Sequence, residues 1–389
     1  MEKFVQWNRL QALPVWATRG FDAKPGRFVE RLDLDGGAIL LPHRAMVQAR
    51  QIYVFAHAAS LGWFPEGATL AEAAMNGLRR DFIEDGAERA SIAFSIDPLT
   101  GSAVSDARDS YTTAFVLFAI AHLYALNGDL ALLALADRII AHVDRDMVDP
   151  IHRGVSDVAG NHTAPKRQNP QMHLLEAYLA LEQTAPGRGY LSHADALITL
   201  FYDHMVDARN GVLLEHFSGD WGDHPELAMA AVFEPGHHYE WIWLLDRHEQ
   251  AAGVDHGLWR SKLQDAAARY GHAASGLIVD EVNANGNVAK RSHRLWPHTE
   301  AIKAAAVRHR SGDPEAYDFA NRMAALLADH FLDKPFVGGW TDQITNAGAP
   351  AVGYVPASSL YHLFLAATEA ARMREGTTAP SNAAPAAAV

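Results

Sequence analysis

The sequence has no cysteine among its 389 residues, which excludes disulfide bonds, thiolate metal ligands and cysteine nucleophiles. It also has no long apolar run, since the longest, at 114–121, is far shorter than the ~20 residues that span a bilayer. Lysine and arginine form no cluster and the net charge is −13, so neither a nucleic acid nor a membrane is expected as a partner. The N-terminal segment lacks the apolar stretch of a signal peptide, which predicts a cytoplasmic protein.

What is present is an apolar content of 49% with 20% charged residues, a balance typical of a globular enzyme. The length exceeds the ~250 residues of a usual single core, so the chain needs either several domains or one repetitive architecture. No linker divides the chain, and we expect one domain at 1–375. The remaining residues, 376–389, lack periodicity and aromatic residues, which predicts a flexible tail.

Six polar residues recur at a nearly constant spacing on apolar, helical segments. An interval of about 60 residues is the length of two helices and their connections, so the pattern predicts six helical hairpins. If the hairpins close into a ring, the six side chains converge on one place. The residues, separated by 61, 62, 64, 63 and 62 positions, are Arg50, Tyr111, His173, His237, Glu300 and His362.

Two classes of helix alternate along the chain. One class has apolar residues every three or four positions and a charged opposite face, as expected for a helix with one wet side. The other, for example 114–126, is apolar nearly all round and belongs in a buried inner layer. This predicts an all-α fold with an inner and an outer ring, and the outer helices are expected near residues 2–17, 68–84, 128–147, 191–206, 257–274 and 313–332.

Short strand-and-turn segments follow the outer helices. Asp97-Pro98 and Asn285-Gly286 are strong turn formers with partial β alternation on either side. We therefore expect small β-hairpins at one end of the ring, where their loops can shape a pocket.

The polar residues crowd the starts of the inner helices. Proline is favoured at the first helical position because its missing N–H would have no partner there. If these helix starts point the same way, the pocket lies at that mouth, where the helix dipoles favour developing negative charge. Four inner helices begin at or near a proline: Pro170, Pro235, Pro297 and Pro356.

Arg50 lies on an apolar helix face, where an unpaired charge is costly. A buried arginine marks an anion, an oxyanion or a carboxylate partner. The competing interpretation is a structural bridge to an internal glutamate such as Glu300. Tyr111 is open to a second interpretation as well, because aromatic residues on buried helices are often part of the core.

Two of the histidines, His173 and His237, precede the glutamates Glu176 and Glu240 by three residues, so each pair shares one helix face. Such pairs can ligate a metal, but further carboxylates at helical register are missing, and the glutamate can equally orient its histidine by hydrogen bonding. We expect no metal and no cofactor.

A histidine titrates near 6.5, so it can accept a proton at physiological pH and return it in the same turnover. His362 alone would be interpreted as a buried core residue, but three histidines in phase with the repeat favour a role in catalysis. His237 and His362 belong to the fourth and sixth hairpins, so both can reach one ligand without touching each other. This arrangement suits proton transfer between neighbouring carbons.

Taken together, these segments resemble the N-acylglucosamine 2-epimerase superfamily of sugar isomerases and epimerases, most closely its D-mannose isomerases. The resemblance covers residues 1 to about 375. Each string is weak alone, and the ordered set is specific. The strings are QARQIYVFAHA around Arg50, the segment around Tyr111, NPQMHLLEA, EHFSGDW, PGHHYEW, RLWPHTEA, GGWTDQ and PASSLYHLF.

The resemblance implies an (α/α)6 barrel that interconverts D-mannose and D-fructose, and possible further pairs such as D-lyxose and D-xylulose, without metal or nucleotide. The resemblance also implies that His237 and His362 transfer protons, one at C2 of the open-chain aldose and one in ring opening. It implies that Arg50 stabilises the cis-enediolate oxygen. Ser358 stands where relatives acting on sulfonated sugars carry glutamine, which argues against an anionic sugar. The residues implied to hold the sugar are Tyr111, Asn169, His173, Glu240, Trp296, Glu300, Trp340 and Asp342.

Three alternatives stay open on the sequence. An enediolate reprotonated on the opposite face of C2 gives the epimer, so a sugar 2-epimerase would use the same residues. Glycoside hydrolysis would recruit Glu240, Glu300 and Asp342, since the same barrel hosts hydrolases with paired carboxylates. A non-catalytic helical repeat would leave Arg50 and the histidines without a role. The expected partner is a monosaccharide, and a homodimer is possible.

Overall fold

The computed structural model describes residues 1–207 and 209–375 and is predominantly helical. The tail expected at 376–389 lies outside these described residues. In the described ranges, no helix combines the length and the apolar character needed to cross a membrane.

Inner and outer helices alternate along the described chain, as the periodicity predicts. The inner helices are Ala45–Ser60, Ser110–Asn127, Gln168–Thr184, Pro235–Ala252, Trp296–Arg310 and Leu360–Glu375. The outer helices include Gly67–Asp81, Gly257–Tyr270 and Ala316–His330, and three others contain a wider π-type turn: Glu2–Trp7 with Asn8–Ala12 and Leu13–Thr18, Leu130–His142 with Val143–Met147, and Tyr190–Leu200 with Phe201–Met205.

The inner helices form a closed circle of neighbours. Each inner helix packs against the next one in the chain, and the last packs against the first. Each of the first five also packs on the outer helix that follows it, while the sixth packs on Glu2–Trp7. The helices that carry the six regularly spaced polar residues are therefore adjacent around one centre.

Short antiparallel strands join neighbouring hairpins just before the inner helices begin, an arrangement that the sequence patterns do not predict. The single bridge between Asp109 and Val158 joins the second and third hairpins. The other joints are made by His43–Arg44 with Ser95–Ile96, Lys166–Arg167 with His216–Phe217, Val232–Phe233 with Glu281–Asn283, His293–Arg294 with Gln343–Ile344, and Arg31–Leu32 with Val355–Pro356.

Local hairpins, which the turn residues do predict, add to these joints. They hold the ends of the connections between outer and inner helices. Their strands are Phe21–Asp22 with Arg27–Phe28, Ile83–Asp85 with Ala90–Ile92, Ser95–Ile96 with Ala103–Ser105, Val206–Asp207 with Val212–Leu213, and Glu281–Asn283 with Val288–Lys290.

The second inner helix shows how the sequence sets its own bounds. Asp109 caps its start by accepting a hydrogen bond from the Thr112 backbone N–H at 2.8 Å, and Gly128 ends it in the left-handed conformation with φ of 69°. Every residue from 112 to 121 is buried. Because one large apolar side chain contributes about 1.5–3 kcal/mol when fully buried, this burial anchors the helix starts that carry the polar residues.

A buried ion cluster stabilises the opposite end of the inner helices. The Glu369 carboxylate, fully buried, contacts Arg247 at 3.3 Å, Arg310 at 3.1 Å and Arg372 at 2.8 Å. Burial raises the pKa of Glu369, but the charges of Arg247, Arg372 and Arg310 together lower it to about 2. The cluster ties the fourth and fifth inner helices to the sixth.

Replacing Glu369 with glutamine should lower the free energy of unfolding by about 3–5 kcal/mol, because it leaves buried guanidinium groups without their counter-charge. Denaturant titration by circular dichroism measures the change. The exposed Glu88→Gln is the control and should shift stability by less than about 0.5 kcal/mol. Since the folded-state pKa is depressed, the wild-type stabilisation is complete above about pH 4.5 and is lost as the pH falls towards 2. An unchanged midpoint in Glu369→Gln would contradict the structural role of the cluster.

Candidate active site

The regularly spaced polar residues meet at the N-terminal ends of the inner helices. Each occupies the first or second turn of its helix, and the strand joints hold these helix starts side by side. The convergence expected from the repeat is therefore present in the structure. Around the centre lie Arg50, Tyr111, His173, His237, Glu300 and His362, accompanied by Asn169, Glu240 and Trp296 from the same turns.

Trp296 contacts both proton-transfer candidates. Its ring centroid lies 4.9 Å from that of His237 and 5.6 Å from that of His362. The centroids of the two imidazoles are therefore no farther apart than the sum of these two distances, so one sugar ring can contact both. The indole forms the half-buried wall between them.

His237 is held by carboxylates. Its Nδ1 lies 2.9 Å from Glu215 Oε2 and 3.9 Å from Glu234 Oε2. Burial lowers the pKa of His237, but the charges of Glu215 and Glu234 outweigh burial and raise it to about 9. At neutral pH His237 is therefore an imidazolium and can donate a proton.

The other nitrogen of His237 faces an amide. Nε2 lies 2.9 Å from Nδ2 of Asn169, whose Oδ1 is buried and finds no hydrogen-bond partner among the described residues. Rotation of the amide exchanges these two atoms, so Asn169 can donate to a neutral ring or accept from an imidazolium. Asn169 thus suits a histidine that changes its charge during turnover.

His362 has the opposite charge preference. Its Nδ1 lies 2.8 Å from Glu300 Oε1, while the second oxygen of Glu300 forms an ion pair with the Lys303 ammonium at 2.6 Å. Burial and the charges of Arg50 and Lys303 place the pKa of His362 well below its usual value. Because an ionised carboxylate only accepts, Nδ1 carries the hydrogen and Nε2 keeps its lone pair. His362 is therefore a neutral base.

Arg50 brings an unneutralised positive charge to the centre. Its guanidinium donates to the Tyr111 hydroxyl at 2.6 Å and to the Ser358 carbonyl at 3.1 Å, and it lies 4.0 Å above the Phe115 ring. Within the described residues it has no carboxylate at ion-pair distance. The structural bridge to Glu300 is therefore absent, and both Arg50 and Tyr111 face the site.

The histidine–glutamate pairs differ from one another. In the first, His173 Nδ1 lies 3.0 Å from Glu176 Oε2, and the Tyr361 hydroxyl donates to the same carboxylate at 2.5 Å. Burial lowers the pKa of His173 to about 4, so this ring is neutral. In the second, His237 Nδ1 bonds Glu215 from a loop at 2.9 Å, so the glutamate that orients His237 is Glu215 and not the neighbouring Glu240.

Three of the residues expected to contact the sugar are too deeply buried to do so. Glu240 and Glu300 are 1% and 0% exposed, so their carboxylates lie behind the pocket surface, where Glu300 acts through His362. Trp340 is also 0% exposed and packs against Trp7 and Trp16 at ring distances of 6.3 and 5.7 Å. It supports the wall from the hydrophobic core and presents no surface to a sugar.

Of the five remaining expected contacts, His173 is 3% exposed and the other four are only partly buried at the helix starts: Tyr111, Asn169, Trp296 and Asp342. Ser359 donates to the Asp342 carboxylate, and burial raises the pKa of this group. These side chains offer hydroxyl, amide, indole and carboxyl groups of the kind that bind sugar hydroxyls.

Three clusters of ligand atoms are compact enough to hold a metal ion, one of them made by Glu240, Glu300 and His362. In that cluster the Lys303 ammonium lies 2.6 Å from Glu300 and 3.9 Å from Glu240. A cation of the protein itself therefore occupies the centre of these carboxylates, which disfavours a metal there.

Two important residues escaped the sequence patterns. Glu215 lies in a loop between helices, where no periodicity marks a buried carboxylate. Lys303 could have been recognised from the sequence, because a lysine one turn after Glu300 on an apolar inner helix is costly unless it is paired.

Two imidazoles whose pKa values are shifted in opposite directions lie with an unneutralised guanidinium at these helix starts, and such groups can donate and accept protons. Residues 26–366 match the N-acylglucosamine 2-epimerase (GlcNAc 2-epimerase) family, and the chain belongs to this family of sugar isomerases and epimerases.

Individual relatives carry names of both reaction types. The mannose-6-phosphate isomerase of Rhizobium meliloti (strain 1021) is 30% identical over 372 residues, which cover 93% of this chain and 94% of the relative. The D-mannose isomerase of Thermobifida fusca is 29% identical, and the alignment covers 86% of this chain and 86% of the relative. The cellobiose 2-epimerase of Spirochaeta thermophila DSM 6192 has the same fold, with a TM-score of 0.85, 23% identity and 96% of both chains aligned.

Proposed function

We propose that the protein is a cofactor-independent aldose–ketose isomerase that interconverts D-mannose and D-fructose. The observation that carries this proposal is the opposite charge preference of two histidines, His237 and His362, on either side of Trp296. A pair of groups whose environments push their pKa values apart is the arrangement that general acid–base catalysis requires. We further infer that residues 1–375 form one domain, and that the closed circle of inner helices is the inner ring of an (α/α)6 barrel.

The reaction begins with ring opening. His237, as an imidazolium, donates its Nε2 proton to the ring oxygen as the C1–O5 bond of the pyranose breaks, and it recovers a proton from the O1 hydroxyl. The result is the open-chain aldose with its C1 carbonyl between the two histidines. Ring opening and carbon chemistry thus use different groups.

The carbon step moves a proton from C2 to C1. His362 Nε2 takes the proton from C2, and the C2–H electrons form the C1=C2 double bond of a cis-enediolate with negative charge on O1. The Arg50 guanidinium and the Tyr111 hydroxyl stabilise this charge, as a preorganised oxyanion site does. His362 then returns its proton to C1, while the proton of the O2 hydroxyl passes to O1, so that O2 becomes the carbonyl oxygen and O1 a neutral hydroxyl. The product is the ketose.

The charges at the mouth support a neutral sugar over a phosphorylated one. Four arginines stand just before inner helices, where a phosphate group of the substrate would arrive. Each has a carboxylate partner within the protein: Arg44 with Glu30 at 2.8 Å, Arg108 with Glu84 at 2.7 Å, Arg167 with Asp157, and Arg294 with Glu234 at 2.6 Å. A phosphate would have to compete with these carboxylates.

Isomerisation is favoured over epimerisation by the relatives, since those named mannose-6-phosphate isomerase and D-mannose isomerase reach 28–30% identity and those named cellobiose 2-epimerase reach 21–23%. Glycoside hydrolysis lacks support in the site. Of its three candidate carboxylates, Glu240 and Glu300 are buried and face the Lys303 ammonium, so Asp342 has neither of them as the second carboxylate that would flank a glycosidic bond.

Incubation with D-mannose in heavy water, followed by NMR, tests the proposal. We expect D-fructose with deuterium at C1, because His362 exchanges part of its captured proton with solvent. Mannose 6-phosphate, offered in parallel, should be converted more slowly. Formation of glucose without fructose would replace the proposal with epimerisation, and preference for the phosphate ester would overturn the neutral-sugar assignment.

A further inference from the structure

We propose that Lys303 is a positioning residue that acts through Glu300 to keep His362 a neutral base. This inference rests on the proposed function for the role of His362, and it adds a residue that never touches the sugar. In this site, the ammonium group supplies the positive charge that a metal ion supplies to carboxylates elsewhere.

The position of Lys303 is unusual for a lysine. Its side chain is 0% exposed, and it lies one turn after Glu300 on the fifth inner helix. The ammonium lies 2.6 Å from Glu300 Oε2, 3.9 Å from Glu240 Oε1 and 4.3 Å from the centre of the Trp243 ring. A buried ammonium is costly without such partners, so the carboxylates and the indole hold it in place.

Glu300 is shared between the lysine and the histidine. One oxygen faces the ammonium, and the other accepts the His362 Nδ1 hydrogen at 2.8 Å. Burial raises the pKa of Glu300, and the Lys303 charge acts against this rise. The lysine therefore favours the ionised form of Glu300 and at the same time offsets its negative charge towards His362.

His237 offers a comparison, because its hydrogen-bonded carboxylate, Glu215, has no lysine or arginine at ion-pair distance within the described residues. Glu215 receives neutral donors, the Gln168 amide at 2.9 Å and the Glu234 backbone N–H at 3.1 Å. Its charge acts on His237 together with that of Glu234, which lies 3.9 Å from Nδ1 and is itself paired with Arg294, and that ring is an imidazolium. A cation directly behind the hydrogen-bonded carboxylate is therefore one difference between the two histidines.

Charged and titratable groups reach His362 from several inner helices. The cations are Arg50 and Lys303, and Arg50 is assigned to the substrate oxygen. Lys303 is thus the cation that can be changed without removing a substrate contact. The remaining groups are His173 and Glu176 of the third inner helix, Glu240 of the fourth, and Glu300 of the fifth.

Loss of the lysine should disable the base in either of two protonation states. An uncompensated Glu300 carboxylate would draw a proton onto His362 and make it an imidazolium. Alternatively, the buried Glu300 would itself become protonated and donate to Nδ1, which places the ring hydrogen on Nε2 and removes its lone pair. In both cases the Glu300–His362 pair binds one more proton at neutral pH, as coupled groups do.

The test is the pH dependence of kcat/KM for Lys303→Met. Because His362 must be neutral, kcat/KM falls on the acid side as the pair takes up a proton. We expect this acid limb to move upward by at least one pH unit, so that at any pH on the limb kcat/KM, taken relative to its plateau, is about tenfold or more lower in the variant than in the wild type. Lys166→Met removes another buried lysine, which pairs with Asp149 at 2.6 Å, and should leave the limb in place.

Two further variants cover the case in which Lys303→Met fails to fold. Glu300→Gln keeps an acceptor for His362 and leaves Lys303 beside Glu240, while Lys303→Met combined with Glu300→Gln removes both charges of the Glu300–Lys303 pair. The acid limb should lie at lower pH in Glu300→Gln than in the double variant, because only the former keeps the cation near His362. Coincident limbs in these two variants, or an unmoved limb in a folded Lys303→Met, would overturn the proposal.

An NMR titration of the histidine rings separates this inference from the proposed function. It needs no substrate, and it should show the Glu300–His362 pair taking up its proton at higher pH in Lys303→Met than in the wild type. If the wild type shows no isomerase activity but the titration shifts, the proposed function fails and the role of Lys303 stands. If activity is present and the titration does not shift, the role of Lys303 fails alone.

Discussion

His362→Asn should lower kcat/KM for D-mannose by ~10²–10⁴-fold, the usual contribution of a general base. The neutral Nε2 of His362 is the only atom assigned to the C2 proton, and asparagine cannot accept one. Glu300 would still find a donor in the asparagine amide, so the neighbouring packing should survive. Initial rates of fructose formation measure the loss.

The control for this variant is His122→Asn. His122 lies on the second inner helix and lines a cavity of about 620 Å³ at the other end of the ring. Its pKa is also lowered well below the usual value, by burial and by the charge of His57, so His122 is a neutral histidine like His362. The control should keep activity within about twofold. Circular dichroism should show native helix content in both variants, and retained turnover in His362→Asn would remove this residue from proton transfer.

His237→Asn should cost a similar ~10²–10⁴-fold on the closed pyranose, for a different reason. His237 supplies a proton to the leaving ring oxygen, so its removal slows ring opening and leaves C2 deprotonation intact. With 2-deuterated mannose, the isotope effect expected of the wild type should shrink in His237→Asn, because ring opening becomes rate-limiting. A full isotope effect together with a large rate loss would instead assign His237 to the carbon step.

The pH profile gives a second check on His237. Its pKa is raised to about 9, so the donating form is complete below that pH and is lost as the pH rises through it. The wild-type rate should therefore fall on the alkaline side near pH 9, and this limb should be absent from the residual activity of His237→Asn. Glu215→Gln removes the charge nearest Nδ1 at 2.9 Å and should move the limb to lower pH.

The helices could be predicted from local patterns in the sequence. Apolar periodicity placed the outer helices within a few residues of their observed bounds, and the predicted segment near 68–84 is observed at Gly67–Asp81. The spacing of about 62 residues placed Arg50 and the histidines at equivalent helix starts. Such signals are local, because a residue's burial on a helix face depends mainly on its neighbours three and four positions away.

Partners from distant parts of the chain could not be predicted in the same way. The carboxylate that holds His237 is Glu215 and not the sequence-near Glu240, and the bond to Glu215 depends on a loop that folds back across the helix start. Trp340 looked like a sugar contact by motif, but its burial depends on Trp7 and Trp16 at the far end of the sequence. The strand joints between hairpins depend on pairing at long range in the same way.

From the sequence alone it follows that the chain is built from repeated helical hairpins and that imidazoles and a guanidinium recur at equivalent helix starts. Which of the imidazoles is charged depends on the folded structure, because the pKa of a buried group is set by the summed field of nearby charges and by lost hydration. For His237 and His362 those charges come from Glu215, Lys303 and Arg50, which are brought together by closure of the ring.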